Sequence, residues 1–217
     1  MTRAGEAATD IEGGAQPLRS DAARNRKRLL EAAAAVFAER GLEAGVEEVA
    51  RVAGVGMGTL YRRFPTKDAL IDELVGELLI DVLSRARVAR GLSGGEGLER
   101  FLHDVGELQA ARLGCLPRLW NTDQHAELQA EIRAATSGLL ADAQRHGRIR
   151  TDVVAADVYA VMWSLRGVIE MTKATAPDAW ERHLEIIVLG MRPSATPLER
   201  APMSQAAIKR LVAHLPV

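Results

Sequence analysis

The stretch that decides the fold is VEEVARVAGVGMGTLYRRFP, residues 46–65. Apolar and small residues recur at helical spacing on both sides of Gly54, which predicts two short helices. Gly54 itself has the conformational freedom that a tight turn with positive φ requires. Pro65 ends the second helix, because the residue before a proline disfavours helical backbone. The pattern predicts a helix-turn-helix with helices over about 46–53 and 57–64.

This unit has an inner and an outer face. The residues predicted to fasten the two helices together, or to let them cross closely, are Val49, Ala50, Ala53, Val55 and Leu60. The residues left outside on the second helix are Gly56, Met57, Gly58, Thr59, Tyr61, Arg62 and Arg63. Hydroxyls and arginines bind phosphates, and an arginine also binds the edge of guanine. The outer face therefore predicts binding in the major groove of double-stranded DNA, through Gly56, Met57, Thr59, Tyr61 and Arg62.

Basic residues accompany the unit on both sides. Residues 19–67 carry ten Arg and Lys against six Asp and Glu, although the whole chain has a net charge of -1. A basic cluster near the start of the preceding helix consists of Arg24, Arg26, Lys27 and Arg28. This cluster, and Lys67 after the unit, are expected to contact DNA phosphates. Taken alone, such a cluster is more typical of a solvated helix face. Its place beside the helix-turn-helix favours the DNA interpretation.

The rest of the chain predicts helices and no strands. Aromatic residues make up only 4% of the sequence, and alanine and leucine dominate, which favours helix over sheet. Besides the unit itself, we expect helices over about 20–40, 66–90, 125–146 and 204–214, from about 98, 155 and 177, and a short one within 114–123. The predicted fold class is therefore all-α with about nine helices.

These patterns predict that the chain has three regions. Residues 1–19 are predicted to form a disordered N-terminal arm, 20–67 a three-helix DNA-binding domain, and 68–217 a helical effector-binding and dimerisation domain. No apolar run approaches the length of a membrane span, and the N-terminus lacks the apolar core of a signal peptide. Cys115 is the single cysteine, which fits a reducing compartment. We therefore expect a cytoplasmic protein without a membrane partner.

The segment AGVGMGTLYRRFPTKDAL, residues 53–70, resembles the DNA-binding signature of the TetR family of bacterial regulators. The likeness runs from about residue 22 to 83 and is strongest over 41–70. The segment AQRHGRIRTDV, residues 143–153, followed by two amphipathic helices, is similar in layout to the C-terminal domain of that family. Two positions depart from the family pattern: Gly45 is a weaker helix cap than the usual Ser or Thr, and Met57 replaces a common lysine.

The resemblance implies a homodimer that binds an operator and leaves it when a small-molecule effector binds. In the family, the last two large helices of each subunit form a four-helix bundle; here these are the helices predicted from about 155 and 177. The effector is expected to move the long helix over about 66–90, and so to change the spacing of the two recognition helices. Repression is the expected outcome, although activation stays open.

The effector site is less well marked in the sequence. A ligand cavity is usually apolar with a few polar groups, and the candidates of this kind are Phe101, Trp120, Met162, Trp163 and Arg166. Each apolar member is more often plain core. Arg166 also lies four residues before Glu170, so the two could simply pair with each other.

Two other classes of protein stay open as alternatives. An all-helical enzyme acting on a small molecule is not favoured, because no nucleophile–base arrangement or cofactor loop is visible. A helical dimerisation module without DNA binding is kept open by Gly45 and Met57. The five histidines are scattered without an i, i+4 pair, so no metal is expected. We predict no enzymatic activity and no cofactor.

Overall fold

A computed structural model describes residues 15–112, 123–204, 206–208 and 210. Its helices are α1 (Ala15–Arg40), α2 (Val46–Ala53), α3 (Met57–Arg63), α4 (Lys67–Ala89), α5 (Gly97–Ala111), α6 (Ala126–Arg145), α7 (Ala155–Thr172) and α8 (Ala179–Gly190), with a 3₁₀ turn at Asp123–His125. No strand occurs among the described residues. The predicted all-α fold class is confirmed.

The first helix starts earlier than the sequence pattern indicated. α1 begins at Ala15, so residues 15–19, assigned above to a disordered arm, are helical. Pro17 does not prevent this, because proline is tolerated in the first turn of a helix, where its missing N–H would have no partner. Residues 1–14 lie outside the described part of the chain, as do residues 114–122 of the short helix predicted within 114–123 and much of 204–214.

The first three helices form the N-terminal part of the hydrophobic core. α1 packs against α2, and α2 against α3. The fully or nearly fully buried side chains of this core include Leu29, Leu30, Ala33, Phe37, Val49, Ala53, Leu60 and Phe64. Burying a leucine or phenylalanine contributes roughly 1.5–3 kcal/mol relative to leaving it exposed, so this core holds the short helices α2 and α3 in place.

α4 connects this core to the rest of the molecule. It begins at the cap residue Thr66, whose hydroxyl accepts a hydrogen bond from the amide of Ala69 at 3.1 Å. It then runs for 23 residues, about 35 Å at 1.5 Å per residue, and packs against α1, α5 and α6. α5 packs in turn against α6, α7 and α8, and α7 packs against α8. α4 is therefore a single unbroken helix that packs against both parts of the chain.

The segment before α7 is fastened to the segment after α8. Arg150 donates to Asp152 at 2.8 Å, and the amide of Leu198 donates to the same carboxylate at 2.9 Å. These hydrogen bonds hold the pKa of Asp152 well below its usual value. The amide of Arg150 also donates to the carbonyl of Met191 at 3.0 Å.

No helix in the described ranges combines the length and the apolar character that crossing a bilayer requires.

Candidate nucleic-acid interface and ligand cavity

The helix-turn-helix has the geometry that the sequence predicted. Gly54 ends α2 in the left-handed conformation, with φ 65° and ψ 38°, and the amide of Val55 donates to the carbonyl of Ala50 at 3.0 Å. Val49, Ala50, Ala53 and Leu60 are buried, and Val55 is half-buried. Gly45 caps α2 without a side-chain hydrogen bond, as expected for glycine. The chain therefore breaks at Gly54 instead of continuing as one helix.

α3 presents a polar face to solvent. Tyr61 is 45% exposed, and both Arg62 and Arg63 are exposed. Met57 and Thr59 are half-buried. Gly56 and Gly58 are exposed, and a β-carbon added at either would meet no atom within 4 Å. Arg62 makes no ion pair or side-chain hydrogen bond with any residue in the described ranges. Its guanidinium is therefore available to another molecule.

The other predicted DNA-contacting residues lie on α1 and at the start of α4. Arg24 and Arg28 are exposed on α1, and Lys67 is half-buried at the first position of α4. Arg28 reaches the turn of the helix-turn-helix, because its Nη2 lies 3.3 Å from the place of a β-carbon on Gly54. Like Arg62, Arg28 and Lys67 have no ionic partner within the described part of the chain. The charge of Arg28 is therefore held beside the turn that precedes α3.

Arg26 differs from its neighbours in the basic cluster. Its guanidinium donates to Glu73, and to Glu77 at 2.8 Å, both on α4. Partial burial acts to lower its pKa, but the two carboxylates raise the pKa above the usual arginine value. Arg63 of α3 lies 3.5 Å from the same Glu73 carboxylate. Glu73 thus ties α1 and α3 to α4.

A second contact ties α6 to the same half of α4. His125, in the turn that precedes α6, hydrogen-bonds the carbonyl oxygen of Asp72 through Nε2 at 3.0 Å. The imidazole lies against Gly76, where a β-carbon would come within 2.9 Å of Cε1. Only glycine lets the ring approach the helix this closely. The N-terminal end of α6 is therefore seated on α4 close to Glu73.

A cavity of about 30 Å³ lies between α4, α5, α6 and α7. Its apolar lining consists of Leu78, Leu79, Val82, Val105, Leu108, Ile132 and Met162, with the ring of Trp163. Gln109 and Arg166 complete it. About 10–15 Å³ of such space holds one water molecule, whereas ligand pockets measure about 300–1,000 Å³. The cavity is therefore much smaller than a typical ligand pocket.

Three residues that line this cavity have polar atoms without a hydrogen-bond or ionic partner among the described residues. The Gln109 side chain is 8% exposed; its Nε2 donates to the carbonyl of Met162 at 3.2 Å, whereas its Oε1 accepts no hydrogen bond from any described residue. The indole N–H of Trp163 is buried and has no acceptor in the described ranges. Arg166 forms no ion pair with Glu170 or with any other described residue. Buried polar atoms nearly always have a partner in folded proteins, so this concentration points to a ligand.

The predicted effector residues divide into three groups. Met162, Trp163 and Arg166 line the cavity. Phe101 does not line it, because its ring is fully buried in the core. Trp120 lies outside the described residues. Sequence reasoning missed Gln109, although an amide on the apolar face of α5 was a signal for it.

One group of residues has a composition that metal ions use. Side-chain ligand atoms of His103, Asp104 and Glu107 all lie within 4.8 Å of one another. Arg100 donates to Asp104 at 2.7 Å, and Arg85 lies 3.6 Å from Glu107. The carboxylates are thus already neutralised by arginines, and we assign no metal to this group.

Comparison with known protein families agrees with both halves of the structure. Residues 29–74 match the family model "Bacterial regulatory proteins, tetR family". Residues 94–193 match the model for the C-terminal domain of SbtR-like transcriptional regulators. HTH-type transcriptional repressor KstR2 of Rhodococcus jostii is 31% identical over 141 residues, which cover 59% of this chain and 69% of the relative.

The chain belongs to the TetR family of bacterial regulatory proteins. A TetR transcription regulatory protein from Mycobacterium vanbaalenii has a similar crystal structure, with a TM-score of 0.59 and 36% identity over 82% of this chain and 100% of that one. A γ-butyrolactone receptor described as ArpA-like shares the fold, with a TM-score of 0.63 over 80% of this chain and 90% of that one, at 24% identity.

The family models cover both the helix-turn-helix and the walls of the cavity. The family's N-terminal model covers α2, α3 and the Arg26 partner Glu73, and the second model covers the cavity walls on α5, α6 and α7. The protein is a DNA-binding transcriptional regulator. Its α3 occupies the place of the recognition helix in a helix-turn-helix, where the second helix enters the major groove.

Proposed function

We propose that this TetR-family protein is a homodimeric repressor that acts in the cytoplasm on a double-stranded DNA operator and is released by a small molecule. The observation that carries the proposal is the outward face of α3, on which Arg62 is exposed and has no ionic partner within the described ranges. An arginine in that position binds a phosphate or reads a guanine in the major groove. No enzymatic activity is part of the proposal.

The proposed contacts divide by chemistry. Arg62 reads a base or grips a phosphate, and the hydroxyls of Tyr61 and Thr59 donate to phosphates. The residues proposed to add sequence-independent affinity or a close backbone approach are Arg24, Arg28, Gly56, Met57 and Lys67. Arg26 and Arg63 are left out as principal contacts, because Glu73 binds the first and lies near the second.

The proposed dimer forms through α7 and α8. Met171 on α7 is 84% exposed, and Ile186 and Leu189 on α8 are 58% and 59% exposed. Gly167 and Gly190 are exposed on the same two helices, with open space where a β-carbon would be. An apolar surface with small residues, left uncovered in one chain, supports burial against a second copy. Two recognition helices then face DNA together.

The proposed release runs through α4. Leu78, Leu79 and Val82 of α4 form one wall of the cavity, and Glu73, on the same unbroken helix, holds Arg26 of α1. A molecule larger than this cavity of about 30 Å³ must push its walls apart. Because α4 is one rigid helix, displacement near Val82 shifts its N-terminal end and α3 with it. The spacing between the two recognition helices of the dimer then no longer fits the operator.

The proposal is tested by fluorescence anisotropy on the DNA immediately upstream of the protein's own gene. We expect saturable binding by two protomers per site, with an affinity that falls as salt rises. Arg62→Ala should weaken specific binding by about 1–3 kcal/mol. Arg90→Ala, which removes an exposed arginine at the far end of α4, is the matched control and should bind like the parent. Equal binding by all three proteins, or no saturable binding, would contradict the proposal.

A further inference from the structure

We infer that the effector is an amphipathic monocarboxylic acid with an apolar body, whose carboxylate binds Arg166 and Trp163 and whose hydroxyl group donates to Gln109. The inference rests on the proposed function in one respect: it takes the cavity between α4 and α7 as the effector site. It goes further by naming the chemistry of the ligand.

The apolar body of the ligand is inferred from the side chains that line the cavity. Apart from three polar groups, the cavity is lined by leucine, isoleucine, valine and methionine side chains. Such walls offer no hydrogen bonds, so a sugar or nucleoside would leave its polar groups unpaired there, which is unfavourable. An alkyl chain or carbocycle gains binding free energy with each methylene that it buries.

The carboxylate group of the ligand is inferred from Arg166 and Trp163. Arg166 is half-buried, lines the cavity and has no carboxylate within the described residues to neutralise it. A guanidinium binds a carboxylate through two parallel hydrogen bonds, which is among the strongest pairings in proteins. The indole N–H of Trp163 only donates, so its partner is also an acceptor. Because the lining contains one cation, a monoanion fits better than a phosphate with two charges.

The hydroxyl group of the ligand is inferred from Gln109. Its amide orientation is fixed, because Nε2 donates to the Met162 carbonyl and a flipped amide would set two oxygens against each other. Oε1 therefore remains as a buried acceptor without a donor among the residues that the structure describes. A carboxylate does not fill this position, since it also only accepts. A hydroxyl on the same ligand does.

The small volume of the cavity implies that binding of the acid and binding of DNA oppose each other. About 30 Å³ leaves no room for a chain of several carbons, so the ligand is bound only after side chains on α4 and its neighbours repack. Affinity for the acid and affinity for DNA then favour different arrangements of α4. By linkage, DNA must weaken binding of the acid by the same factor as the acid weakens binding of DNA.

The test uses the full chain without DNA and three probes: octanoic acid, a set of hydroxyoctanoic acids, and octanol. Binding is measured by the rise in unfolding temperature and by tryptophan fluorescence. We expect the acids to bind more tightly than the alcohol and a hydroxy acid to bind best. Arg166→Met should weaken the acids about tenfold to a hundredfold while leaving octanol unchanged. Gln109→Leu should remove the preference for the hydroxy acid alone.

Arg90→Met is the matched control, since it removes an exposed arginine outside the cavity and should leave all affinities unchanged. Octanol binding as tightly as the acids, no binding of any acid, or an unchanged acid preference in Arg166→Met would overturn the inference. Because these measurements contain no DNA, they are independent of the operator assay. DNA binding without acid binding would refute the inference alone, and acid binding without DNA binding would refute the proposed function.

Discussion

Gly54 is the residue on which the helix-turn-helix depends. Its φ of 65° turns the chain between α2 and α3, and Arg28 lies over it. A residue with a β-carbon is strained in this conformation, because the β-carbon crowds the following carbonyl oxygen. The conformation that the sequence required at this position is therefore the one that the structure adopts.

Gly54→Ala should lower the free energy of unfolding by about 1–2 kcal/mol, because alanine is strained at positive φ. Gly58→Ala is the matched control within the same unit. Gly58 lies in α3 with open space around it, and alanine there should raise the free energy of unfolding by about 0.5–1 kcal/mol. Denaturant unfolding of the two variants measures both changes. Changes of the same sign would contradict the turn geometry.

Individual side chains also show where sequence reasoning reaches its limit. Local patterns identified the exposed face of α3, because burial there follows from spacing within one short unit. The partners of Arg26 lie 47 and 51 residues away, and spacing within α1 does not show them. Phe101 and Gln109 both lie on α5, but which of them faces the cavity depends on how α4 and α7 pack against it.

At the scale of elements, the turns and caps were the predictable part. Thr66 caps α4 as expected, and α2 and α3 occupy the predicted ranges to within one residue. The start of α1 was placed too late, because the polar and small residues from Ala15 onward carry no apolar stripe to mark them as helical. The pairing of helices was not predictable in detail, since it depends on contacts between distant residues.

α8 packs closely against α5 because Gly106 has no side chain. A β-carbon there would lie 2.2 Å from Cζ3 of Trp180, whose side chain is 3% exposed. Gly106→Ala should therefore destabilise the fold by about 1–3 kcal/mol. Trp180→Leu should also destabilise it, but the double variant should lose less than the sum of the two, because the smaller side chain removes the clash. Additive losses in denaturant unfolding would contradict this packing.

At the scale of the whole molecule, the proposed dimer explains the exposed apolar surface on α7 and α8. A double change, Ile186→Gln with Leu189→Gln, should yield a monomer in sedimentation analysis, because the apolar area that drives association is removed. Its matched control is Ile80→Gln with Val88→Gln, which changes two exposed apolar residues on α4. The control should remain a dimer. A dimeric α8 variant would place the interface elsewhere.

The proposed regulator depends on two α3 helices acting together on one operator. Footprinting of the protein on the DNA upstream of its own gene tests this most directly. We predict two protected half-sites, related by two-fold symmetry and lying on one face of the duplex, that disappear together in Arg62→Ala and in the α8 double variant. One unsymmetrical protected region, or protection that survives both changes, would contradict the account.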